Sequence, residues 1–238
     1  MLRCRYTDPA LLNTYVDDAK EAETQFLAYV KEQGGPSDPP QLQLWMGETA
    51  GAGGACANSD TVIGKYVGVF WYADKLGAAA ASKHSVVLKQ EFTDAVVAKE
   101  GGGVTVVPLF WVSQLWRAVM GQNVLSVAGD RTGTVRVYAH QHSTGGAGVV
   151  IINVGDSAAV VNLTVTAGGG GGGSASSYAS YILTSYPDPT DVGATEVALN
   201  GQQLILGEDG AVPSFGAGKQ VAGSTVKAPP YSVTFCAF

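Results

Sequence analysis

A carboxylate at the end of an apolar strand is the residue of this sequence best placed to do chemistry. Leu44 and Met46 belong to an alternating run that predicts a strand, and Glu48 follows directly ahead of a glycine-rich stretch. In a (β/α)₈ barrel the carboxyl ends of the parallel strands line the active site, so an acid at that position favours catalysis. The same spacing fits a Glu48 that caps the next element or pairs with a surface lysine, and both interpretations stay open.

The first half of the chain alternates helices with short apolar strands, an order typical of parallel α/β architecture. The predicted elements are a helix that begins at Pro9 with Asp8 or Thr7 as its cap and ends at Gly34–Gly35, the Glu48 strand, a helix over Asp60–Gly77, a strand over Val86–Leu88 and a helix over Pro108–Met120. Two parallel strands cannot close a barrel of eight.

The second half is nearly all strand and turn. The predicted strands are Asn123–Val127, Thr134–His140, Val149–Val154, Ala158–Val165, Tyr178–Leu183, Glu196–Leu199, Gln203–Leu206 and Tyr231–Ala237. Short strands at this spacing predict an antiparallel sandwich. We therefore expect two domains, residues 1–122 and residues 123–238.

Composition limits the partners and cofactors. The 238 residues carry 14 Lys and Arg against 20 Asp and Glu, and the net charge of -6 argues against nucleic acid or an anionic membrane as the main partner. Cys4, Cys56 and Cys236 lack metal-ligand spacing, and the Gly168–Gly173 run lacks the helix of a phosphate-binding loop, so we expect no metal and no cofactor. No apolar run reaches the ~20 residues of a membrane span, and the amino terminus lacks the apolar core of a signal peptide.

Three other groups of residues could serve a site but favour structural roles. His140 and His142 have the separation of a two-ligand metal site on one strand face, yet without a third ligand a solvated sheet face is expected. Asp74 and Lys75 are expected to form a charge pair on a helix surface. The tryptophans could stack on a sugar, but their helices predict core packing for Trp71, Trp111 and Trp116.

A colinear set of short segments resembles the carboxy-terminal part of heparanase and the heparanase-like proteins of glycoside hydrolase family 79. The matching segments are Leu44–Thr49, Phe70–Gly77, Leu88–Gln90, Ser113–Leu125, Val135–His140, Leu199–Leu204 and Ala228–Phe235. Each is short, but together they run in order over most of the chain.

The resemblance implies a retaining β-glycosidase that cuts at glucuronic acid, with Glu48 in the place of the nucleophile. Such enzymes need a second carboxyl group roughly 5–5.5 Å away as acid and base. The family's acid/base lies in an Asn-Glu-Pro sequence, and this chain contains none. By the same resemblance Gly53, Gly54 and Ala55 approach the substrate carboxylate with backbone amides, and Gln90 contacts the substrate. A tight turn at the glycines and a structural hydrogen bond at Gln90 are the alternatives.

Two departures from the family pattern stand out. The Gly-Asn-Tyr segment after the last barrel strand has no counterpart, because the equivalent residues 92–99 contain no tyrosine. The family's Tyr-x-His-Cys motif reads Tyr138, Ala139, His140 and Gln141 here, without the cysteine.

Together these observations predict an α/β plus all-β chain: a carboxy-terminal fragment of a (β/α)₈ TIM barrel followed by an antiparallel β-sandwich. The expected function is the Glu48 part of a heparanase-like β-glucuronidase acting on uronic-acid-containing polysaccharide. It is expected to be inactive until an amino-terminal barrel half supplies the acid/base. The resemblance implies an extracellular, membrane-associated or lysosomal or vacuolar location. The alternative is a non-catalytic carbohydrate-binding or interaction module derived from the family.

Overall fold

The computed structural model describes residues 5–33, 43–49, 64–90, 95–99, 102–128, 133–166, 172–173 and 176–238. The helices are α1 (Pro9–Glu32), α2 (Val67–Ala81) and α3 (Pro108–Val119), with a 3₁₀ turn at Arg5–Thr7. The strands are β1 (Leu44–Thr49), β2 (His84–Lys89), β3 (Val96–Ala98), β4 (Val104–Val106), β5 (Val124–Leu125), β6 (Val135–Gln141), β7 (Ala147–Asn153), β8 (Ala159–Asn162), β9 (Val165–Thr166), β10 (Gly172–Gly173), β11 (Ser177–Tyr186), β12 (Glu196–Leu199), β13 (Gln202–Gln203), β14 (Lys219–Ala222), β15 (Thr225–Ala228) and β16 (Ser232–Ala237). Within these ranges no helix combines the length and the hydropathy needed to span a bilayer.

Helix α1 begins where the capping residues predict. The side chain of Asp8 accepts a hydrogen bond from the backbone N–H of Ala10 at 2.9 Å, and Pro9 occupies the first turn, where its missing N–H costs nothing. One face of the helix is buried, at Leu12, Val16, Ala19 and Val30. The predicted end at Gly34–Gly35 lies outside the described residues, and the helix itself ends at Glu32.

Helix α2 is mostly apolar, and most of its residues are buried. It runs from Val67 to Ala81 between α1, α3 and the large sheet. The predicted end at Gly77 is wrong: the ring of Tyr138 occupies the space that a Cβ at Gly77 would need, so this glycine serves packing and does not end the helix.

Strands β1 and β2 form a parallel pair connected through α2. The strand prediction for Val86–Leu88 is confirmed and extends to His84–Lys89. A parallel pair with a crossover helix is the unit from which α/β barrels are built.

Eight strands form one antiparallel sheet in the order β13-β12-β11-β16-β7-β6-β5, with β14 also paired to β11. Every residue of β7 is buried, because the sheet is covered on both faces. Val150 and Ile152 pack in the core that contains the helices, whereas Val149 and Ile151 pack on the other side against β8 and β15. This alternation is the two-residue period of a strand.

The apolar core of the helices continues without interruption into one face of the large sheet. The chain changes from helices to strands near residue 122, and the division into two domains there stays a prediction. The β3–β4 hairpin and strands β14 and β15 were not predicted. They are short and exposed, with only Val226 and Ala228 of their residues buried, so they lack the apolar runs of the longer strands.

Candidate active site at the carboxyl ends of β1 and β2

The carboxyl ends of the two parallel strands lie side by side. Thr49 of β1 is paired with Lys89 of β2, and the backbone N–H of Gln90 donates to the carbonyl oxygen of Thr49 at 3.1 Å. Glu48 and Gln90 therefore reach the same edge of the sheet. In a barrel enzyme that edge faces the substrate.

Glu48 lies in an irregular step of β1. Between paired positions on either side, two residues of β1, Gly47 and Glu48, stand opposite the single residue Leu88 of β2. Such a bulge bends the strand and redirects its side chains, and bulges are common beside active sites. Both residues are exposed, and a Cβ at Gly47 would meet no atom within 4 Å. The Glu48 carboxylate is thus accessible to a ligand.

The two faces of the strand pair differ sharply. On the helix side Thr49 is buried, and the ammonium of Lys89 lies over the rings of Tyr72 and Trp71, at 4.2 and 6.0 Å from their centroids. Since side chains alternate along a strand, Leu88 and Gln90 fall on the other face. Both are exposed.

The structure bears on the structural alternatives for Glu48 and Gln90. Glu48 forms no ion pair with any residue that the structure describes, and Gln90 makes its structural hydrogen bond through the backbone. Gly53, Gly54 and Ala55 lie outside the described residues. The catalytic role of Glu48 and the substrate-binding roles of the other residues stay predictions.

Tyr72 joins the two helices beneath the candidate site. The hydroxyl of Ser113 on α3 donates to the Tyr72 oxygen at 3.2 Å, and burial raises the pKa of Tyr72, with the Ser113 hydrogen bond acting the other way. Tyr72 therefore stays protonated and neutral. Sequence reasoning missed both Lys89 and Tyr72, although Lys89 ends the strand predicted to lead to Gln90.

The predicted surface pair of Asp74 and Lys75 is wrong. Asp74 is buried and lies 3.1 Å from the guanidinium of Arg136. Lys75 is half-buried with its ammonium 4.9 Å from the centroid of the Tyr15 ring. Burial lowers the pKa of Lys75, and the charge of Asp18 acts in the opposite direction. Consecutive residues of a helix project in different directions, so neighbours in sequence seldom pair.

The predicted solvated face is also wrong for His140. His140 is buried, with Nδ1 2.6 Å from the carbonyl oxygen of Gly121 and its ring edge-on to Trp116, and burial lowers the pKa of His140. His142 lies beyond the end of β6 and is half-buried, with Nδ1 2.7 Å from the Thr144 hydroxyl. Across the described ranges, no three His, Cys, Asp or Glu side chains are grouped to hold a metal ion. Trp71 and Trp111 are buried as predicted, and Trp116 is half-buried.

Comparison with known proteins finds relatives of the heparanase type. No family model matches the chain. Heparanase of Gallus gallus is 27% identical over 208 residues, 82% of this chain and 38% of the relative. Heparanase-like protein 1 of Arabidopsis thaliana is 32% identical over 148 residues, 61% of this chain and 26% of the relative. Hyaluronoglucuronidase of Hirudo nipponia is 27% identical over 70% of this chain and 34% of its own length. The chain therefore spans about a third of the length of the curated relatives it matches.

Solved structures agree on the fold. The 4-O-α-L-rhamnosyl-β-D-glucuronidase of Fusarium oxysporum superposes with a TM-score of 0.57 at 12% identity, over 94% of this chain and 49% of that one. An arabinofuranosidase superposes with a TM-score of 0.53 at 11% identity over 93% and 49%. The structural neighbours are glycoside hydrolases with TIM-barrel-like folds, and the chain shares their mixture of sheets and helices. The finer prediction, a barrel fragment followed by a sandwich, stays a prediction. The similarity to these relatives confirms that the chain resembles the heparanase-like proteins of glycoside hydrolase family 79.

Proposed function

We propose that this chain carries the nucleophile of a retaining β-glucuronidase that acts on polysaccharide. The observation that carries the proposal is the exposed Glu48 in a bulge at the carboxyl end of β1, aligned with Gln90 at the end of β2. The similarity to proteins named heparanase and hyaluronoglucuronidase supports a glycosidase-like function.

The proposed chemistry has two steps. The Glu48 carboxylate attacks the anomeric carbon of a glucuronic acid unit while an acid protonates the departing glycosidic oxygen, which leaves a covalent glycosyl ester on Glu48. The same acid, now a base, takes a proton from water, and the water opens the ester. Glu48 returns as a carboxylate at the end of the cycle.

The second carboxyl group comes from outside this sequence in our proposal. The chain contains no Asn-Glu-Pro, and it spans 38% of the length of the Gallus gallus relative. We propose that the remainder of such a protein supplies the acid/base together with further barrel strands.

The exposed face of β1 and β2 supports further barrel strands. Parallel sheets are normally covered on both faces, yet Trp45 is 56% exposed and Leu88 is 43% exposed on this pair. Two parallel strands are also too few to close a barrel. Added strands and loops would cover these apolar side chains.

We propose a glucuronic acid unit of a polysaccharide as the substrate. The support is the similarity to a protein named hyaluronoglucuronidase. The amide side chain of the exposed Gln90 offers donors to an oxygen of the sugar, and the backbone amides of Gly53, Gly54 and Ala55 are proposed to bind the uronate carboxylate.

Covalent labelling tests this function. The chain is co-expressed with an amino-terminal half that contains Asn-Glu-Pro and is treated with a 2-deoxy-2-fluoro-glucuronyl fluoride, which forms a long-lived ester with the nucleophile of a retaining enzyme. Peptide mass mapping is expected to place the label on Glu48, and Glu48→Gln is expected to remain unlabelled. A label on another carboxylate would contradict the proposal.

A non-catalytic role is the second candidate, and a specific similarity favours it. Proteins named inactive heparanase-2 from Mus musculus and Homo sapiens are each 27% identical over 217 residues, 82% of this chain. A binding module of this kind would retain a uronic-acid-containing polysaccharide equally well as wild type and as Glu48→Gln. It would take no label from the fluoride in either form.

A further inference from the structure

Lys89 is held against a pair of buried aromatic rings at the end of β2. Its ammonium lies 4.2 Å from the centroid of the Tyr72 ring and 6.0 Å from that of Trp71. Both rings are buried in α2, and the Lys89 side chain is itself half-buried. A cation over the negative face of an aromatic ring is attracted to it, and the attraction strengthens as water is excluded.

The rings that hold Lys89 are themselves fixed. The hydroxyl of Ser113 on α3 donates to the oxygen of Tyr72 at 3.2 Å. The Trp71 ring stacks against Tyr6 at 6.0 Å and meets the edge of Tyr15 at 6.1 Å. Contacts from α1 and α3 thus fix the two rings of α2, and these rings fix the position of the Lys89 ammonium relative to β2.

The pairing of β2 with β1 connects Lys89 to the candidate nucleophile Glu48. Lys89 is paired in register with Thr49, and the N–H of its neighbour Gln90 donates to the Thr49 carbonyl at 3.1 Å. Glu48 precedes Thr49 directly. Because Gly47 and Glu48 form a bulge, they depend on the paired residues beyond them for a fixed position.

We propose that Lys89 is a positioning residue for the reaction: its ammonium, seated on Tyr72, fixes the carboxyl ends of β2 and β1 and thereby the placement of Glu48 and Gln90 toward the sugar. This inference rests on the proposed function of Glu48. An apolar side chain of similar length would fill the same space, but it would lack the attraction to the Tyr72 ring that holds the end of β2 in position. Misplacement of a reacting group by about 1 Å can reduce a rate about 100-fold.

The test uses three variants. Lys89→Met removes the charge and keeps much of the volume, and Lys89→Arg keeps a cation that can stack on the ring. Lys75→Met is the matched control, because Lys75 of α2 places its ammonium over a different ring, 4.9 Å from the centroid of Tyr15 of α1.

The first measurement is amide hydrogen exchange at the Gln90 N–H in the 238-residue chain. We expect exchange about 3- to 30-fold faster in Lys89→Met, and rates close to wild type in Lys89→Arg and Lys75→Met. Unchanged exchange in Lys89→Met, or equally fast exchange in Lys75→Met, would overturn the inference.

The second measurement is the rate of covalent labelling in the co-expressed protein, with kcat and KM for an aryl glucuronide. We expect Lys89→Met to lower the labelling rate and kcat about 10- to 100-fold with little change in KM, and Lys89→Arg to restore most of both. A normal kcat in Lys89→Met would overturn the positioning role. Wild-type protein labelled at a residue other than Glu48 would instead overturn the proposed function, and the exchange measurement would still decide whether Lys89 anchors the strand end.

Discussion

The guanidinium of Arg136 and the carboxylate of Asp74 lie 3.1 Å apart, with side-chain exposures of 0% and 1%. Arg136 also donates to the carbonyl of Pro9 at 3.0 Å and to the side-chain oxygen of Asn13 at 2.6 Å, and the Tyr138 hydroxyl donates to Asp74 at 2.7 Å. One buried network thus joins α1 and α2 to strand β6 of the large sheet. It connects the helices beneath the candidate site to the strand-rich half of the chain.

Removing one partner of this network is expected to destabilise the protein strongly. Arg136→Met leaves the Asp74 carboxylate buried without its cation, which typically costs about 3–5 kcal/mol of unfolding free energy. Denaturant unfolding followed by tryptophan fluorescence measures the loss. The double variant Arg136→Met with Asp74→Leu is expected to recover part of it, because no uncompensated charge remains.

A surface ion pair supplies the control for that prediction. Lys83 and Glu23 lie 3.8 Å apart with exposures of 55% and 24%, so Glu23→Gln is expected to cost less than about 1 kcal/mol. Equal losses for Glu23→Gln and Arg136→Met would show that the buried network contributes no more than a surface pair.

Sequence reasoning succeeded where structure is set locally. The Asp8 cap and the proline after it predicted the start of α1, and the alternation around Met46 predicted β1. It failed at Asp74, because its partner Arg136 is 62 positions away in the sequence. A buried ion pair is built from residues that only the folded chain brings together.

A substitution at Gly77 tests whether α2 needs a glycine where it packs against Tyr138. Alanine is normally the better helix residue by about 1 kcal/mol, but a Cβ here would overlap the Tyr138 ring, which its hydrogen bond to Asp74 holds in place. We expect Gly77→Ala to lower stability by about 1–3 kcal/mol. Gly64→Ala, where a Cβ meets no atom within 4 Å, is expected to be neutral in the same thermal melt.

Cys236 is expected to be chemically inert in the folded protein. Burial raises its pKa from 9.0 to about 12, so the reactive thiolate is scarce at pH 8. The raised pKa means that the folded state holds its proton more tightly, so the associated stability is complete below pH 9 and is lost as the pH rises through about 12.

Alkylation with iodoacetamide measures this protection. A Cys4→Ser, Cys56→Ser variant leaves Cys236 as the remaining cysteine. Modification at pH 8 is expected to follow the denaturant unfolding curve. Rapid modification of the native protein would mean that the thiol is accessible.

The candidate site was partly predictable for a geometric reason. Strand ends in a parallel pair meet at one edge, so Glu48 and Gln90 could be expected together. The bulge at Gly47 depends on the register between two strands, and the seat of Lys89 on Tyr72 depends on how α2 packs against them. Both relationships join residues that are distant in sequence, so no local sequence pattern predicts them.

The last prediction asks whether Glu48 supplies the attacking oxygen. Glu48→Ala in the co-expressed protein removes the carboxylate and leaves a space beside the anomeric carbon, so turnover of a dinitrophenyl glucuronide is expected to fall by at least about 1,000-fold. Such a substrate carries a good leaving group and needs little protonation.

Azide added at molar concentration can then enter the space and attack from the side that the carboxylate occupied. The expected product is the α-glucuronyl azide, with dinitrophenolate as the leaving group, identified by mass spectrometry and NMR. Glu208→Ala, an exposed glutamate in a turn of the strand-rich half, is the matched control and is expected to keep wild-type turnover without azide dependence. Normal turnover in Glu48→Ala, or a β-configured azide, would show that another group attacks the sugar.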